Sequence, residues 1–360
     1  MIKIITIVGA RPQFVKAAAV SRAISKHDNL KEIIVHTGQH FDKNMSDVFF
    51  DEMEIPHPDY NLHINSLSHG AMTGRMIEEI EKVIMTESPN LLLVYGDTNS
   101  TLAGALAASK LHIDVAHVEA GLRSYNMKMP EEINRILTDR ISNILFCPTE
   151  RSVLNLVNEG FDNFGCKIVR TGDVMYDAAL FYSKKSEEKA TVFKKINLKE
   201  FVLTTFHRAE NTDDAIALEN IITGLNKVNS EIPVVFPVHP RTKKIIENSG
   251  LKVNFHMIDP VGYFDMLELI KNCKMVFTDS GGLQKEAFFF GKNVITMREQ
   301  TEWVELIDNG FNILSGANSE KIFETYLNSI HSSVDFNVDL YGDGDASGKI
   351  AEEIIKFNNK

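Results

Sequence analysis

The residues best suited to chemistry follow short apolar runs, and the clearest case is the segment from Lys274 to Glu286. Met275 to Phe277 predict a buried strand, which Thr278-Asp279-Ser280-Gly281-Gly282 connects to a predicted helix. Two glycines let the backbone approach a ligand, and the first amides of a helix have no internal partners. With the Ser280 hydroxyl as a further donor, the turn suits a phosphate. The alternative is an ordinary turn in which Ser280 caps the helix.

Glu286 lies one turn into the same predicted helix. A carboxylate behind a phosphate site repels phosphate, but it can accept hydrogen bonds from a sugar diol. The segment therefore predicts a phosphate at the turn and a ribose hydroxyl at Glu286.

Ionisable residues also follow other predicted strands. Arg11 and Lys16 lie at the start of the first predicted helix, where two cations are unfavourable unless an anion binds there. The remaining candidates in the first half of the chain are Asp97, Glu119, Glu131 and Arg135. Those in the second half, beside Ser280, are His207, Arg208, His239 and Arg241. Neighbouring carboxylates raise one another's pKa, which favours acid/base catalysis on the first group.

Each of these candidates has a structural alternative. Asp97 could cap a helix, and Glu131 after Pro130 favours a helix start whatever its function. His207 and His239 could each be structural histidines. Only their shared position after strands favours a role in binding.

The elements that must position these residues alternate between strand and helix. Strands are predicted at Ile2 to Val8, Leu91 to Tyr95, Val115 to Val118 and Ile144 to Cys147, and a second series begins near Glu200. This alternation predicts an α/β protein with parallel, doubly wound sheets. Such sheets bind ligands at the carboxyl ends of their strands, which is where the candidates lie. The first turn is neither a dinucleotide fingerprint nor a P-loop.

The length of 360 residues predicts two domains, at 1–172 and 173–345, facing each other across a cleft. The last helix, within 346–360, is predicted to pack back on the first domain. The net charge of −11 argues against nucleic-acid binding and against anionic membranes. The three cysteines lack metal-binding spacing, and no run is long enough to span a membrane. Because the start also lacks a signal peptide's pattern, we expect a cytoplasmic protein.

Several segments, taken in order, resemble one family. They are GARPQ from Gly9, YGDTNSTLAGALAA from Tyr95, HVEAGLR from His117, PEEINR from Pro130, TFHRAEN from Thr205, PVHPR from Pro237 and TDSGGLQKEA from Thr278. Together they resemble the non-hydrolysing UDP-N-acetylglucosamine 2-epimerases, over Gly9 to about Gly316. The resemblance implies a GT-B-like fold, a homodimer and a role in making surface polysaccharide precursors.

The resemblance also implies a mechanism without nicotinamide or metal. A base removes the C2 proton while UDP leaves C1, which gives a 2-acetamidoglucal and free UDP. UDP adds back after C2 is reprotonated from the other face. The acid/base candidates are then Asp97, Glu119 and Glu131, and the resemblance does not tell which one deprotonates C2. The pyrophosphate or the departing charge is held by Arg11, Lys16, Arg135 and His207. Phosphate binds at Ser280, Gly281 and Gly282, the ribose binds at Glu286, and His239 and Arg241 belong to the substrate site.

Some positions depart from the common pattern of the family. Gln13 replaces a glutamate, and Trp303 replaces an arginine. Losing a carboxylate at position 13 would remove repulsion against an acidic sugar, and Arg241 could pair with one. These variants resemble the subgroup that acts on UDP-2,3-diacetamido-2,3-dideoxyglucuronate, which we favour over UDP-N-acetylglucosamine.

Further departures, at Phe41 to Asn44 and Ser68 to Gly70, argue against the second, activating UDP-sugar site of many relatives. Two other functions remain open from the sequence, a GT-B glycosyltransferase and a silent nucleotide-sugar-binding protein. A glycosyltransferase would not need the three carboxylates Asp97, Glu119 and Glu131 near the sugar.

Overall fold

The computed structural model describes residues 1–39, 54–332 and 334–359, with the side chain of Arg11 also left out. The helix predicted from about Asp42 therefore lies outside the described residues. The chain forms two compact units, Met1–Ala178 with Asp339–Lys360 and Ala179–Val338. A helix at Val174–Lys189 continues from the first unit into the second, so the division falls within it rather than after residue 172.

The first unit contains a parallel sheet of seven strands. In chain order they are β1 (Ile2–Val8), β2 (Leu30–His36), β3 (Tyr60–Asn61), β4 (Leu91–Tyr95), β5 (Asp114–Val118), β6 (Ile144–Cys147) and β7 (Lys167–Arg170). Their spatial order is β3-β2-β1-β4-β5-β6-β7. The order reverses between β1 and β4, and such a reversal opens a crevice at the carboxyl ends of the strands.

Helices cover this sheet. They are α1 (Arg11–Ile24), α2 (His69–Glu87), α3 (Asn99–Lys110), α4 (Pro130–Ile141), α5 (Glu150–Asn158) and the start of α6 (Val174–Lys189), with a 3₁₀ turn at Phe161–Asn163. The inner strands β1, β4, β5 and β6 are buried on both faces, and β1 and β4 are almost wholly apolar. Continuous apolar runs of this kind are typical of parallel strands covered on both sides.

The second unit repeats the same connectivity with six parallel strands. They are β8 (Val202–Thr205), β9 (Val234–Pro237), β10 (His256–Ile258), β11 (Val276–Thr278), β12 (Val294–Thr296) and β13 (Asn312–Leu314), in the order β10-β9-β8-β11-β12-β13. Its helices are α7 (Val192–Lys195), α8 (Ala209–Thr212), α9 (Ala215–Glu231), α10 (Pro240–Ser249), α11 (Tyr263–Asn272), α12 (Gly281–Phe289), α13 (Val304–Asp308) and α14 (Ser319–Ser329). The order reverses between β8 and β11.

The chain returns to the first unit through its last helix, α15 (Ala346–Asn358), which packs against α1. Asp177 of α6 accepts hydrogen bonds from the amides of Ala346 and Ser347, at 3.0 and 2.7 Å. The first turn of α15 is thus capped by a residue distant in sequence. No helix in the described part of the chain is both long and apolar enough to cross a membrane.

Candidate functional site

Asp97 lies at the carboxyl end of β4, beside the point where the strand order reverses. It follows Gly96, which has a φ of +62°, and precedes Thr98, which caps α3 with its own hydroxyl. Asp97 is therefore not the helix cap. Its carboxylate instead pairs with the guanidinium of Arg135 on α4, and its carbonyl accepts a hydrogen bond from Asn134 at 2.9 Å.

Glu119 lies at the carboxyl end of β5, next to β4 in the sheet. Its φ is +72°, a left-handed conformation that is uncommon outside glycine and costs about 1–3 kcal/mol. Its amide donates to the carbonyl of Phe146 at 3.1 Å, and its carboxylate pairs with the ammonium of Lys16 on α1. Such strain is concentrated at functional sites, which supports a catalytic role for this carboxylate.

These two ion pairs lie next to each other, with two carboxylates and two cations. We call this group the acidic cluster: Asp97, Glu119, Lys16 and Arg135. Burial raises the pKa of Asp97; the charge of Arg135 opposes this rise, and the charge of Glu119 adds to it. A raised pKa makes a carboxylate a stronger base, which helps it to take up a proton and to pass it on. The acidic cluster therefore combines a proton carrier with cations that can stabilise developing negative charge.

Glu131 is not brought into the acidic cluster. Its side chain is exposed on the first turn of α4, and among the described residues it has no hydrogen bond or ion pair. The buried neighbour Glu132 accepts from the amides of Ser124 and Tyr125, at 2.9 and 2.8 Å, and pairs with Arg135. The sequence analysis did not single out Glu132, which orients both the preceding loop and Arg135.

The structure contradicts the role expected for Gln13. Gln13 was expected at the sugar, but its side chain is buried and 1% exposed. Its amide oxygen accepts from the backbone of Gly9 and Ala10, and its nitrogen donates to the carbonyl of Tyr95 at 2.8 Å. It joins the loop after β1 to the end of β4, so repulsion of a sugar carboxylate does not explain this residue.

His117 and its partners are further residues whose function the sequence analysis missed. Nε2 lies 2.7 Å from the carbonyl oxygen of Gly96, and Nδ1 lies 2.7 Å from Asp139. Asp139 also accepts from Arg123, which forms a two-pronged ion pair with Glu159. His117 and Arg123 both belong to the HVEAGLR segment, but that segment alone gave no sign of the partners Asp139 and Glu159.

In the second unit, Asp279 at the end of β11 organises the loop after β8. Its buried carboxylate accepts from the amides of His207 and Arg208, each at 3.0 Å, and from the side chain of Asn211. The ring of His207 is half exposed, with Nδ1 3.5 Å from Asp279. His207 is therefore held at the carboxyl edge of this sheet, with part of its ring open to a ligand.

Ser280, Gly281 and Gly282 form the start of α12. The Ser280 side chain makes no capping hydrogen bond, so the alternative of an ordinary cap does not describe this turn. Among the described residues, the amides of Gly281 and Gly282 have no hydrogen-bond partner. The turn therefore presents free donors at the positive end of a helix, where an anion binds favourably.

The backbone at Gly281 is close to a second buried ion pair. A Cβ atom there would lie 2.1 Å from a carboxylate oxygen of Glu302, which pairs with Arg298 at 2.9 Å. Burial by itself would raise the pKa of Glu302, but the charge and hydrogen bond of Arg298, a backbone hydrogen bond and the charge of Arg208 together lower it. A side chain at position 281 would therefore require the carboxylate of Glu302 to shift away from its present position.

Glu286 is buried on α12 beside Tyr263. Burial raises the pKa of Tyr263 well above its ordinary value, and the charge of Glu286 adds to this rise. Trp303 is also buried, and the ammonium of Lys285 lies 4.0 Å from the centre of its ring.

His239 and Arg241 have partners within the second unit. His239 caps α10, with Nδ1 accepting from the amide of Arg241 at 3.3 Å. The guanidinium of Arg241 pairs with Asp213. In this conformation His239 fills a structural role, and Arg241 would have to leave Asp213 to meet a sugar carboxylate.

Arg11 stands at the start of α1, and its side chain lies outside what the structure describes. The departures at Phe41 to Asn44 also lie outside the described residues. Among the residues that are described, no cluster of histidine, cysteine, aspartate or glutamate could hold a metal ion.

Comparisons with known proteins match this architecture to one family. A protein-family model described as UDP-N-acetylglucosamine 2-epimerase matches residues 22–355. The chain therefore belongs to the UDP-N-acetylglucosamine 2-epimerase family. The predicted enzyme class, an isomerase, and the predicted GT-B-like pair of Rossmann-type domains are confirmed.

Individual relatives cover nearly the whole chain. It is 56% identical to UDP-2,3-diacetamido-2,3-dideoxy-D-glucuronate 2-epimerase of Pseudomonas aeruginosa, over 99% of this chain and 100% of that protein. It is 44% identical to a UDP-N-acetylglucosamine 2-epimerase of Methanococcus maripaludis, over 99% and 98%. Among solved structures, the Methanocaldococcus jannaschii UDP-GlcNAc 2-epimerase in complex with UDP-GlcNAc and UDP has a TM-score of 0.89 and 42% identity. That match covers 99% of this chain and 100% of that one.

Proposed function

We propose that this protein interconverts the gluco and manno forms of a UDP-2-acetamido sugar by inverting C2. The observation that carries the proposal is the acidic cluster, with one carboxyl group of raised pKa and two cations at the carboxyl edge of the first sheet. Family membership supports the same reaction, because the relatives are named as 2-epimerases. A glycosyltransferase has no need to remove a proton from C2.

The acidic cluster would act in two steps. One carboxylate takes the C2 proton while the C1–O bond breaks, and UDP leaves with the bonding electrons. The resulting 2-acetamidoglucal is reprotonated at C2 from the opposite face, and a β-phosphate oxygen of UDP attacks C1. Asp97 and Glu119 are the two acid/base groups that this arrangement supports, and Glu131 remains a candidate only if its side chain moves to the substrate.

The cations would stabilise the charge that develops when UDP leaves. Lys16 and Arg135 already lie beside the carboxylates, and we assign the same task to Arg11 and His207. Preorganised cations act most strongly where charge appears during the reaction.

UDP itself would bind to the second unit. Its phosphates would accept hydrogen bonds from the Ser280 hydroxyl, which makes no capping hydrogen bond, and from the amides of Gly281 and Gly282, which have no partner among the described residues. Glu286 would accept from the ribose hydroxyls. His239 and Arg241 complete the proposed substrate site on the second unit.

The favoured substrate is UDP-2,3-diacetamido-2,3-dideoxyglucuronate. The support is the 56% identity to the P. aeruginosa protein named for it, against 52% and 44% to two M. maripaludis proteins named as a UDP-N-acetylglucosamine 2-epimerase homolog and a UDP-N-acetylglucosamine 2-epimerase. The alternative substrate is UDP-N-acetylglucosamine, which is present in the solved complex of the M. jannaschii protein. Either product would serve as a precursor of a surface polysaccharide.

Proton NMR in deuterated water tests both parts of the proposal. Each nucleotide sugar is incubated with the protein, and the H2 and anomeric signals are followed. We expect loss of the H2 signal as deuterium enters C2, with a higher kcat/KM for the uronate. A preference for the neutral sugar would change the substrate and leave the reaction intact. UDP binding without exchange in either sugar would indicate a silent binding protein.

We also propose a cytoplasmic location, because nucleotide sugars are made there, and a homodimer. Analytical ultracentrifugation would test the second point. A sedimentation coefficient for one chain of 40.5 kDa at working concentration would contradict it.

A further inference from the structure

His117 is a fully buried histidine with two short polar contacts. It lies on β5, two residues before Glu119, and Nε2 is 2.7 Å from the carbonyl oxygen of Gly96. A carbonyl oxygen can only accept, so Nε2 carries a proton and donates it to this hydrogen bond. Gly96 directly precedes Asp97, so the bond acts on the peptide that carries a member of the acidic cluster.

Gly96 is held by β5 through both of its backbone polar groups. Its amide donates to the carbonyl of Val118 at 3.0 Å, while its carbonyl accepts from His117. Gly96 also lies against the acidic cluster, because a Cβ atom there would be 3.2 Å from Glu119 and 3.3 Å from Lys16. The backbone at Gly96 therefore sets the position of Asp97 relative to Glu119.

The other ring nitrogen of His117 is fixed from α4. Nδ1 lies 2.7 Å from Asp139, which also accepts from Arg123 at 2.7 Å and from the amide of Gly121 at 3.2 Å. Burial would raise the pKa of Asp139, but its hydrogen bond to His117 and the charges of His117 and Arg123 lower it. Asp139 is thus a carboxylate that accepts, and Nδ1 donates to it.

We propose that His117 is a positioning residue, which holds the Gly96 carbonyl through Nε2 and thereby fixes Asp97 for proton transfer. Asp139, Arg123 and Glu159 orient the ring. This inference rests on the proposed function, because it assigns Asp97 to the C2 chemistry. The competing explanation is that His117 only satisfies the buried charge of Asp139, in which case its Nδ1 matters and its Nε2 does not.

Two amide substitutions separate these roles. The side-chain nitrogen of His117→Gln reaches about the position of Nε2, and that of His117→Asn reaches about the position of Nδ1. We expect His117→Gln to keep kcat within about tenfold of wild type. We expect His117→Asn to lose about 10²-fold in kcat, since a displacement of about 1 Å can cost that much. KM and UDP affinity should change little in either variant, because neither change touches the second unit.

Equal or better turnover in His117→Asn than in His117→Gln, with both variants folded and binding UDP normally, would overturn the proposal. Crystal structures of the two variants give a second readout that does not depend on activity. Gly96 and Asp97 should keep their positions in His117→Gln and shift in His117→Asn, and an unshifted loop in His117→Asn refutes the positioning role. If the wild-type protein turns over neither sugar, the proposed function is refuted. The crystal structures still test the positioning role of His117 in that case.

If neither variant folds, neutron diffraction from wild-type crystals exchanged into deuterated water decides the matter. A deuteron on Nε2 directed at the Gly96 oxygen is expected. An Nε2 without a deuteron overturns the proposal.

Discussion

Asp97 and Glu119 are neighbours in space because β4 and β5 are adjacent parallel strands that end at the same edge. The left-handed backbone conformation at Gly96 and Glu119 turns the chain after each of these two strands. Arg135 pairs with the carboxylate of Asp97, and Lys16 pairs with that of Glu119. Burial keeps the pKa of Asp97 raised even beside Arg135. Chemistry at this site therefore depends on a few individual side chains.

We predict that Asp97→Asn and Glu119→Gln each lower kcat by about 10²–10⁴-fold, the usual contribution of an acid/base group. UDP affinity should change little, because the proposed phosphate donors lie in the second unit. Steady-state kinetics and calorimetry with UDP measure the two effects. Asp114→Asn, at the opposite end of β5, is the matched control and should keep normal turnover.

Normal turnover in both Asp97→Asn and Glu119→Gln would refute the assignment of the acidic cluster. Glu131→Gln is expected to lower turnover as well. A loss there would mean that this exposed carboxylate reaches the substrate by moving, whereas full activity would restrict the acid/base groups to Asp97 and Glu119.

At the scale of elements, α4 is joined to β5 and α5 by buried ion pairs. Asp139 of α4 contacts His117 and Arg123, and Arg123 is bound by Glu159 at the end of α5. Removing one member of a buried ion pair leaves the partner uncompensated, which typically costs about 3–5 kcal/mol.

Asp139→Asn should therefore lower the free energy of unfolding by about 3–5 kcal/mol near pH 7. The folded state lowers the pKa of Asp139, so its contribution is full above the unfolded value of about 3.9. That contribution is lost as the pH falls through the lower, folded value. Urea titrations from neutral to acidic pH should show the difference between wild type and variant shrinking in acid. Asp162→Asn, an exposed change in the same unit, should show no such dependence, and a constant deficit in Asp139→Asn would contradict the argument.

The start of α12 offers a second test at this scale, with two adjacent glycines. Gly281→Ala should destabilise the fold by about 1–3 kcal/mol, because its Cβ atom meets Glu302 at 2.1 Å. Gly282→Ala meets only Ser280, at 4.0 Å, and should leave stability unchanged or slightly raised. Gly282→Ala should nevertheless weaken UDP binding, since the added methyl lies where a phosphate would approach the amides. Denaturation and UDP calorimetry on both variants measure this, and unchanged UDP affinity in Gly282→Ala would exclude the site.

At the scale of the whole molecule, two units share one connectivity, and the chain end returns to the first of them. The amide of Asp173 donates to the carbonyl of Tyr341 at 2.9 Å, and Asp177 caps α15. These contacts fix the final helix against the unit that carries the acidic cluster.

Asp177→Ala should cost about 1–2 kcal/mol, the usual loss on removing a helix cap. Hydrogen exchange should become faster in α15 and remain unchanged in α9 and α12 of the second unit. Asp162→Ala removes an exposed carboxylate from the 3₁₀ turn Phe161–Asn163 of the same unit and serves as the control. Unchanged exchange in α15 of Asp177→Ala would show that packing on α1 alone holds the helix.

The sequence by itself determined the elements whose signals are local. Apolar runs such as Ile2–Val8 and Leu91–Tyr95 predicted strands with the observed bounds, because a strand buried on both faces favours apolar residues along nearly its whole length. The segments with family resemblance gave the fold class and the enzyme class. The positions of Asp97, Glu119 and Ser280 at strand ends followed from the rule that parallel strands end at one edge.

Only the tertiary structure decided which side chains meet. Lys16 and Glu119 are 103 residues apart, and His117 and Asp139 are 22 apart, so no local pattern pairs them. Gln13 is a similar case, because its buried side chain donates to the carbonyl of Tyr95, which is distant in the sequence. Glu132 is another, because it is buried while the adjacent Glu131 is exposed. Burial and pairing depend on the packing of elements distant in the chain, and a residue's type and its neighbours in sequence do not contain that information.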